Sequence, residues 1–251
     1  MDEEIKNENN DQKQNFKLVI KKFVVIFVFC GSLILNGIFL LNYVYPRISN
    51  YINNDKGVSV SNYDYNTNYQ YSARLTQFQL YDGKTDIVFA GDSITEKGNW
   101  NELFAGINCI DRGIGSDTTE GLLNRLDEIM KHDPEKIFIL IGINDLSVGI
   151  SADEICSNMS LIVEKISEMS PNTRIYIESV LPAKDIEQGQ IDMINKIYES
   201  ICAENISATY IDISPVFNMQ GGGYYYSGDG IHLNGEGYKE IVQRISKYVY
   251  E

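Results

Sequence analysis

From about residue 73 to the end, short apolar runs alternate along the chain with stretches of helical periodicity. Five runs have the length and composition of β-strands, namely 86–91, 106–111, 136–142, 173–180 and 208–213. Amphipathic spacing predicts helices over 116–132, 151–170, 191–204 and 235–250. Because strands and helices alternate, the pattern predicts an α/β fold in which helices cover both faces of a parallel sheet.

Two of the predicted helices carry start signals at their N-termini. Ser151 and Glu154 form a capping box, in which the serine side chain satisfies a free main-chain N–H. Asp117 and Glu120 show the same spacing, with Asp in place of the usual Ser or Thr. We therefore expect Asp117 to mark the start of one continuous helix over 116–132.

A different pattern occupies residues 23–45, which carry no charge and are interrupted only by Ser32, Asn36 and Asn42. At ~1.5 Å per residue this run spans about 34 Å, enough for a bilayer core of ~30 Å. A cleaved signal peptide would have a shorter apolar region, followed by a small-x-small site that is not found here. We therefore predict an uncleaved transmembrane signal anchor over 23–45.

Basic residues are placed unevenly around this run. The lysines shortly before it are Lys13, Lys17, Lys21 and Lys22, whereas only Arg47 and Lys56 follow closely after it. The positive-inside rule then places the N-terminus in the cytoplasm and the rest of the chain outside. We predict a single-pass protein of the cell membrane, with a cytoplasmic tail over 1–22, an extracytoplasmic linker over 46–72 and a folded domain over 73–251.

Composition narrows the classes of function. The chain has 35 acidic and 21 basic residues, a net charge of −14, and residues 1–45 contribute nothing to that net charge. The acidic outer part repels anionic polymers, so we expect no nucleic-acid partner. A hydrophobic content of 43%, with 11% aromatic residues, supports a sizeable core and excludes a disordered chain.

Candidate chemistry lies in four short segments that follow strands or precede the last helix. They are 91–95 (GDSIT), 111–115 (DRGIG), 142–145 (GIND) and 229–232 (DGIH). Each alone has an ordinary explanation as a turn or a helix cap. Because parallel α/β sheets bind ligands beyond the carboxyl ends of their strands, the segments together suggest a nucleophile, a base, a carboxylate and oxyanion donors at one edge.

The two histidines differ in their position relative to that edge. His232 follows Asp229 at a spacing that can place the carboxylate against one ring nitrogen, which leaves the other to accept a proton from Ser93. His132 lies at the end of a predicted helix, on the amino side of the third strand. We therefore expect His232 to be the base and His132 to be a helix C-terminal residue.

Over about residues 80–251 the four segments resemble the motif blocks of the SGNH hydrolases, also called GDSL-type lipases/esterases. The resemblance implies a flavodoxin-like three-layer fold with a central five-stranded parallel sheet. It implies a catalytic triad of Ser93, Asp229 and His232. It also implies an oxyanion hole formed by the N–H groups of Ser93 and Gly113 and the side chain of Asn144.

Two positions depart from the usual motifs of that family. Ile94 occupies a position that is usually Leu, and Asp111 occupies one that is usually Asn. Neither departure changes a catalytic atom, so the implied site is unaffected.

The resemblance implies ester hydrolysis through an acyl-enzyme, with no metal or organic cofactor. No long apolar insertion provides a lid, which favours a short acyl group such as acetyl on a cell-surface glycan. The tyrosine-rich segment 221–226 is either an aromatic wall for sugar stacking or part of the core. A lysophospholipase-like lipid esterase, a catalytically silent glycan-binding or assembly protein, and an O-acetyltransferase stay open as alternatives, as does the oligomeric state.

The four cysteines are too few for a disulfide framework. Cys30 lies in the apolar run, and Cys109, Cys156 and Cys202 lie in the outer domain. We expect buried free thiols, and a Cys156–Cys202 disulfide in an oxidising exterior is the open alternative.

Overall fold

The computed structural model describes residues 69–217 and 223–251. The predicted tail, the anchor over 23–45 and the linker up to residue 68 lie outside these ranges. Within them, no helix has both the length and the hydrophobicity needed to cross a membrane.

The centre of the domain is a sheet of five parallel strands, as predicted. The strands are β1 (Ile87–Gly91), β2 (Cys109–Gly113), β3 (Lys136–Leu140), β4 (Arg174–Glu178) and β5 (Ala208–Ile211). Their order across the sheet is β2-β1-β3-β4-β5, with Gly91 opposite both Gly113 and Leu140. The chain order reverses between β1 and β3, and at such a point an α/β sheet opens a crevice for ligands.

Nine α-helices surround this sheet within the described residues. They are α1 (Tyr69–Phe78), α2 (Ser93–Glu96), α3 (Trp100–Leu103), α4 (Thr119–Asn124), α5 (Leu126–Met130), α6 (Ile143–Ser147), α7 (Ala152–Met169), α8 (Gln188–Glu204) and α9 (Gly235–Tyr250). Helix α1 begins before the predicted domain boundary at residue 73. Its Tyr71 is buried and donates its hydroxyl to the Gly121 carbonyl at 2.9 Å, so this turn belongs to the fold.

Alternate residues of each strand face two separate cores, which gives the predicted three layers. In β1, Val88 and Ala90 pack under α4, α5, α7 and α8. On the opposite face, Ile87 and Phe89 pack under α3 and α9. The second core is rich in stacked rings, and Phe89 lies 4.3 Å from Trp100 between ring centroids. Burial on both faces explains why these strands are continuously apolar.

The prediction of a single helix over 116–132 is wrong, because the structure has two helices there, α4 and α5, separated at Arg125. The N-cap is Thr118, whose hydroxyl accepts from the Gly121 N–H at 3.3 Å. Asp117 does not cap the helix, because its carboxylate is buried against the Arg125 guanidinium. The serine half of the capping box at the start of α7 is confirmed, since the Ser151 hydroxyl accepts from the N–H of residue 154 at 3.3 Å.

Cys109, Cys156 and Cys202 are free thiols, so no disulfide joins Cys156 to Cys202 in this structure. Cys109 and Cys202 are buried as expected, and Cys156 is half-buried. Burial raises the pKa of the Cys109 thiol to about 11, which keeps it protonated and unreactive at neutral pH.

Candidate active site

Ser93 is placed at the carboxyl edge of the sheet by the tight turn that follows β1. A Cβ atom on Gly91 would lie 2.2 Å from the Leu140 carbonyl oxygen, so only glycine fits at this position. Asp92 then caps α2 by accepting from the Ile94 N–H at 2.9 Å. Ser93 is thereby the first residue of that helix, and it is half-buried just beyond the end of β1.

The imidazole of His232 joins Ser93 to Asp229. Its Nε2 lies 2.9 Å from Ser93 Oγ, and its Nδ1 lies 2.6 Å from Asp229 Oδ2. The three side chains therefore form one continuous line of hydrogen bonds, although 139 positions separate Ser93 from His232. The structure brings together the nucleophile, base and carboxylate that the sequence predicted.

Asp229 is held as an anion by the groups around it. The hydrogen bond from His232 lowers its pKa well below the ordinary range, and the main-chain N–H groups of Ile231 and His232 and the Ser227 hydroxyl lower it further. An ionised carboxylate at Nδ1 favours the tautomer that carries its proton there. The Nε2 lone pair of His232 is then directed at the Ser93 hydroxyl.

The loop that carries Asp229 and His232 is fixed at several points. Asn234 accepts from the Gly237 N–H at 3.0 Å, which caps α9, and donates to the Tyr224 carbonyl at 2.7 Å. The Gly230 carbonyl accepts from the Lys184 N–H at 2.9 Å. Gly230 has a φ of 71°, a value that glycine adopts without strain. The loop is therefore tied both to α9 and to the chain beyond β4.

Asn144 lies at the start of α6, just beyond β3. Gly142, with a φ of 125°, makes the turn from the strand. The Asn144 amide donates one N–H from Nδ2 to the Asp117 carbonyl at 2.9 Å. No second acceptor is bound to Nδ2 among the described residues, so its other N–H is available to a ligand.

Gly113, the expected oxyanion donor, is engaged elsewhere in this structure. Its N–H donates to Asp111 Oδ1 at 2.7 Å. A Cβ atom at Gly113 would lie 2.1 Å from the Glu96 nitrogen, so glycine is required for close packing against α2. The geometry explains why glycine stands here, and it speaks against a direct role of this N–H with substrate.

Two later residues of the same loop, Gly115 and Ser116, are better placed for that role. Gly115 lies beside the nucleophile, because a Cβ atom on it would be 4.0 Å from Ser93 Cβ. Ser116 has a φ of 62°, an uncommon conformation for a residue other than glycine. Neither N–H has a hydrogen-bond partner within 69–217 and 223–251.

His132 lies apart from this site, as expected. Its ring is fully buried, with Nδ1 2.8 Å from the Gly83 carbonyl and Nε2 2.7 Å from the Arg112 guanidinium. Since the guanidinium can only donate, Nε2 accepts and the ring is neutral, with its proton on Nδ1. His132 is thus a structural histidine. It follows the C-terminal end of α5, as expected, and it is fully buried.

Residues 89–240 match the model of the GDSL-like Lipase/Acylhydrolase family, and this range contains Ser93, Asn144, Asp229 and His232. The chain belongs to this family. Membership of the chain in this family agrees with the hydrogen-bonded line of Ser93, His232 and Asp229.

Individual proteins resemble this GDSL-like acylhydrolase at modest identity, either in sequence or in fold. The platelet-activating factor acetylhydrolase IB subunit alpha1 of Bos taurus is 25% identical over 175 residues, which cover 65% of this chain and 75% of that protein. A solved structure from Streptococcus pneumonia is 25% identical with a TM-score of 0.67, covering 72% and 93% of the two chains. A family 3 carbohydrate esterase of Clostridium thermocellum has a TM-score of 0.56 at 19% identity, covering 67% and 98%.

Sequence reasoning missed the buried charges beneath the site. Arg125 and Asp117 form an ion pair with fully buried side chains. Burial raises the pKa of Asp117 to about 6, although Arg125 opposes the shift. One signal was present: position 125 falls on the apolar face between Leu122 and Ile129, where a charged residue is unexpected.

Proposed function

We propose that this chain hydrolyses short-chain carboxylic esters, in particular acetyl esters of cell-surface carbohydrate, through an acyl-enzyme. The observation that carries the proposal is the hydrogen-bonded line from Ser93 through His232 to Asp229. A serine hydroxyl becomes a competent nucleophile only when a base lies within hydrogen-bond reach and is itself oriented.

The proposed reaction has two steps. In the first, His232 Nε2 takes the Ser93 proton as Oγ attacks the ester carbonyl, and Asp229 stabilises the resulting imidazolium. His232 then protonates the leaving alkoxide, which departs and leaves an acyl group on Ser93. In the second, His232 removes a proton from water, the hydroxide attacks the acyl group, and the acid leaves as Ser93 recovers its proton.

The oxyanion that forms in both steps needs preorganised donors. We assign this role to the Ser93 N–H and to the N–H of Asn144 Nδ2 that does not bind Asp117. For the third donor we favour the unpartnered N–H groups of Gly115 and Ser116 over that of Gly113. Removing one such donor typically costs about 3–4 kcal/mol of transition-state stabilisation.

Two observations support an acetyl ester of a sugar as the substrate. The curated relative from Bos taurus is named an acetylhydrolase, which favours a short acyl group. Tyr224, in the loop before the triad carboxylate, is 64% exposed, whereas Tyr226 of the same segment is buried in the core. An exposed aromatic ring beside a catalytic loop offers a flat apolar surface for a sugar face.

A lipid ester is the second candidate, favoured by two exposed apolar side chains. Ile231, next to His232, is 37% exposed, and Val148, at the end of α6, is 48% exposed. An exposed apolar side chain next to the catalytic histidine in the chain would contact a longer acyl chain favourably. The preference for acyl length separates the two candidates.

We also propose that residues 23–45 anchor the enzyme in the cell membrane, with the N-terminus in the cytoplasm and the acylhydrolase domain outside. The uncharged run and the lysines that precede it support this orientation. Added protease should degrade the domain in intact cells while a tag at residue 1 stays protected. Protection of the domain in intact cells would contradict the orientation.

The activity is tested with p-nitrophenyl esters from two to twelve carbons, comparing wild type with Ser93→Ala. The matched control is Ser200→Ala, because Ser200 is an exposed helical serine that bonds only within α8. We expect turnover to fall steeply beyond four carbons, to vanish in Ser93→Ala and to persist in Ser200→Ala. A preference for eight carbons or more would support the lipid ester, and turnover unaffected by Ser93→Ala would refute the mechanism.

A further inference from the structure

One guanidinium lies beneath the whole candidate site. Arg125 has a side chain that is 0% exposed. Its Nη1 donates to the Arg112 carbonyl at 2.7 Å, and its Nη2 donates to the Gly91 carbonyl at 3.0 Å. Nε and Nη2 lie 2.9 and 2.8 Å from Asp117 Oδ2. The ends of β1 and β2 and the loop before α4 are thus all bound to a single side chain.

Each of these three partners is connected, along the chain or by a hydrogen bond, to a residue of the candidate active site. Gly91 stands two residues before Ser93. Arg112 lies near the end of β2, just before the loop that carries Gly115. Asp117 accepts the Asn144 amide on its main-chain carbonyl, while its carboxylate binds Arg125. A movement of the guanidinium would therefore be transmitted to the nucleophile and to the oxyanion donors together.

We propose that Arg125 is a positioning residue for the reaction. Its guanidinium fixes the Ser93 turn, the 113–116 loop and the Asn144 amide at the relative positions that the reaction needs. This inference rests on the proposed function. It assigns Arg125 no contact with substrate, because Arg125 acts only through the segments that it binds.

The geometry of these contacts requires an arginine. A guanidinium presents donors in a planar fork, so it can reach two carbonyls and a carboxylate that lie in different directions. A lysine has one nitrogen and can keep the charge pair with Asp117 without spanning both strand ends. A buried ion pair often adds little net stability compared with apolar residues of similar size. The presence of this pair among buried apolar residues is therefore better explained by positioning than by stability.

The test compares Arg125→Lys with wild type in the full-length protein. Lys136→Met is the matched control, because Lys136 is also a buried cation that donates to two carbonyls, those of Tyr248 and Val249. It begins β3 at the amino edge of the sheet, opposite the site. The readouts are the urea midpoint, kcat and KM for p-nitrophenyl acetate, and the rate at which diethyl p-nitrophenyl phosphate modifies Ser93.

We expect Arg125→Lys to lower kcat and the rate of Ser93 modification on the order of 100-fold, since misplacement by about 1 Å can have that effect. KM should change less than threefold. Lys136→Met should lower the urea midpoint and leave kcat within threefold of wild type. Because a merely structural role of Arg125 would move the urea midpoint alone, unchanged kcat in folded Arg125→Lys would overturn the inference.

A second variant covers the case in which Arg125→Lys does not fold. Asp117→Asn combined with Arg125→Gln removes both buried charges together, so that neither is left unpaired, and it should lose kcat to the same extent while it folds. Wild-type kcat in this double variant would overturn the inference. If wild-type Ser93 reacts with neither ester nor phosphate, the proposed function itself fails, and the role of Arg125 fails with it.

Discussion

Replacing Asp92 by Asn should make the domain more stable at alkaline pH. The Asp92 side chain is buried, with 1% of the residue exposed, and burial raises its pKa from 3.8 to about 7. The nearby carboxylates of Asp117 and Asp145 add to the shift. Because the folded pKa lies above the unfolded one, the folded state binds this proton more tightly, and stability falls as pH rises from about 4 to about 7. A shift of about three pKa units corresponds to about 4 kcal/mol.

In Asp92→Asn, the introduced amide keeps an oxygen to accept the Ile94 N–H that Asp92 accepts at 2.9 Å, and it cannot ionise. Unfolding is followed in urea at pH 5 and pH 8 by the fluorescence of Trp100, the only tryptophan, which is 3% exposed. Wild type should lose roughly 2–3 kcal/mol more unfolding free energy between pH 5 and pH 8 than Asp92→Asn does, because part of the full shift is already lost below pH 5.

The matched control for this measurement is Asp185→Asn. Asp185 is exposed and has a φ of 65°, a conformation that asparagine tolerates well. It should leave the pH dependence of stability unchanged. If Asp92→Asn loses as much stability between pH 5 and pH 8 as wild type does, the assignment of a raised pKa to Asp92 is refuted.

Three further substitutions test other contacts. Asp229→Asn should lower kcat by roughly 10³–10⁴ with little change in KM, because the ring tautomer is no longer held; equal kcat in steady-state assays would contradict this role. Tyr198→Phe removes a buried hydroxyl that donates at 3.1 Å to a carbonyl beyond β3, and should cost about 1 kcal/mol of unfolding free energy in urea. Arg74→Met removes the cation 2.5 Å from Asp111, whose pKa burial raises to about 6. Arg74→Met should therefore lower the thermal midpoint more at pH 8 than at pH 5, and Asp111→Asn should abolish that difference.

Local patterns were sufficient to predict the sheet and the line of Ser93, His232 and Asp229. Each strand is a short apolar run, and a parallel sheet brings the residues after its strands to one edge. The Asp-x-x-His spacing is local, and the hydrogen bonds on Asp229 from Ile231 and Ser227 close the same loop. These features depend on residues that are close in sequence, or on the sheet topology that the alternation of strands and helices along the chain implies.

The features that could not be predicted depend on tertiary contacts. Glycine at position 113 was consistent with a free N–H, and only the fold shows that Asp111 occupies it. The apolar periodicity of residues 116–132 indicates one helix, but the contacts of Arg125 with β1 and β2 coincide with a break at that residue. No pattern along one chain reports such a long-range contact.

The most direct test of the account is covalent labelling of the nucleophile. The full-length protein is treated with a fluorophosphonate, digested and analysed by mass spectrometry, alongside His232→Ala and the control His132→Gln. We predict one adduct, on Ser93, which is lost or strongly slowed in His232→Ala and retained in folded His132→Gln. An adduct on another residue, or equal labelling of Ser93 in His232→Ala, would contradict the account.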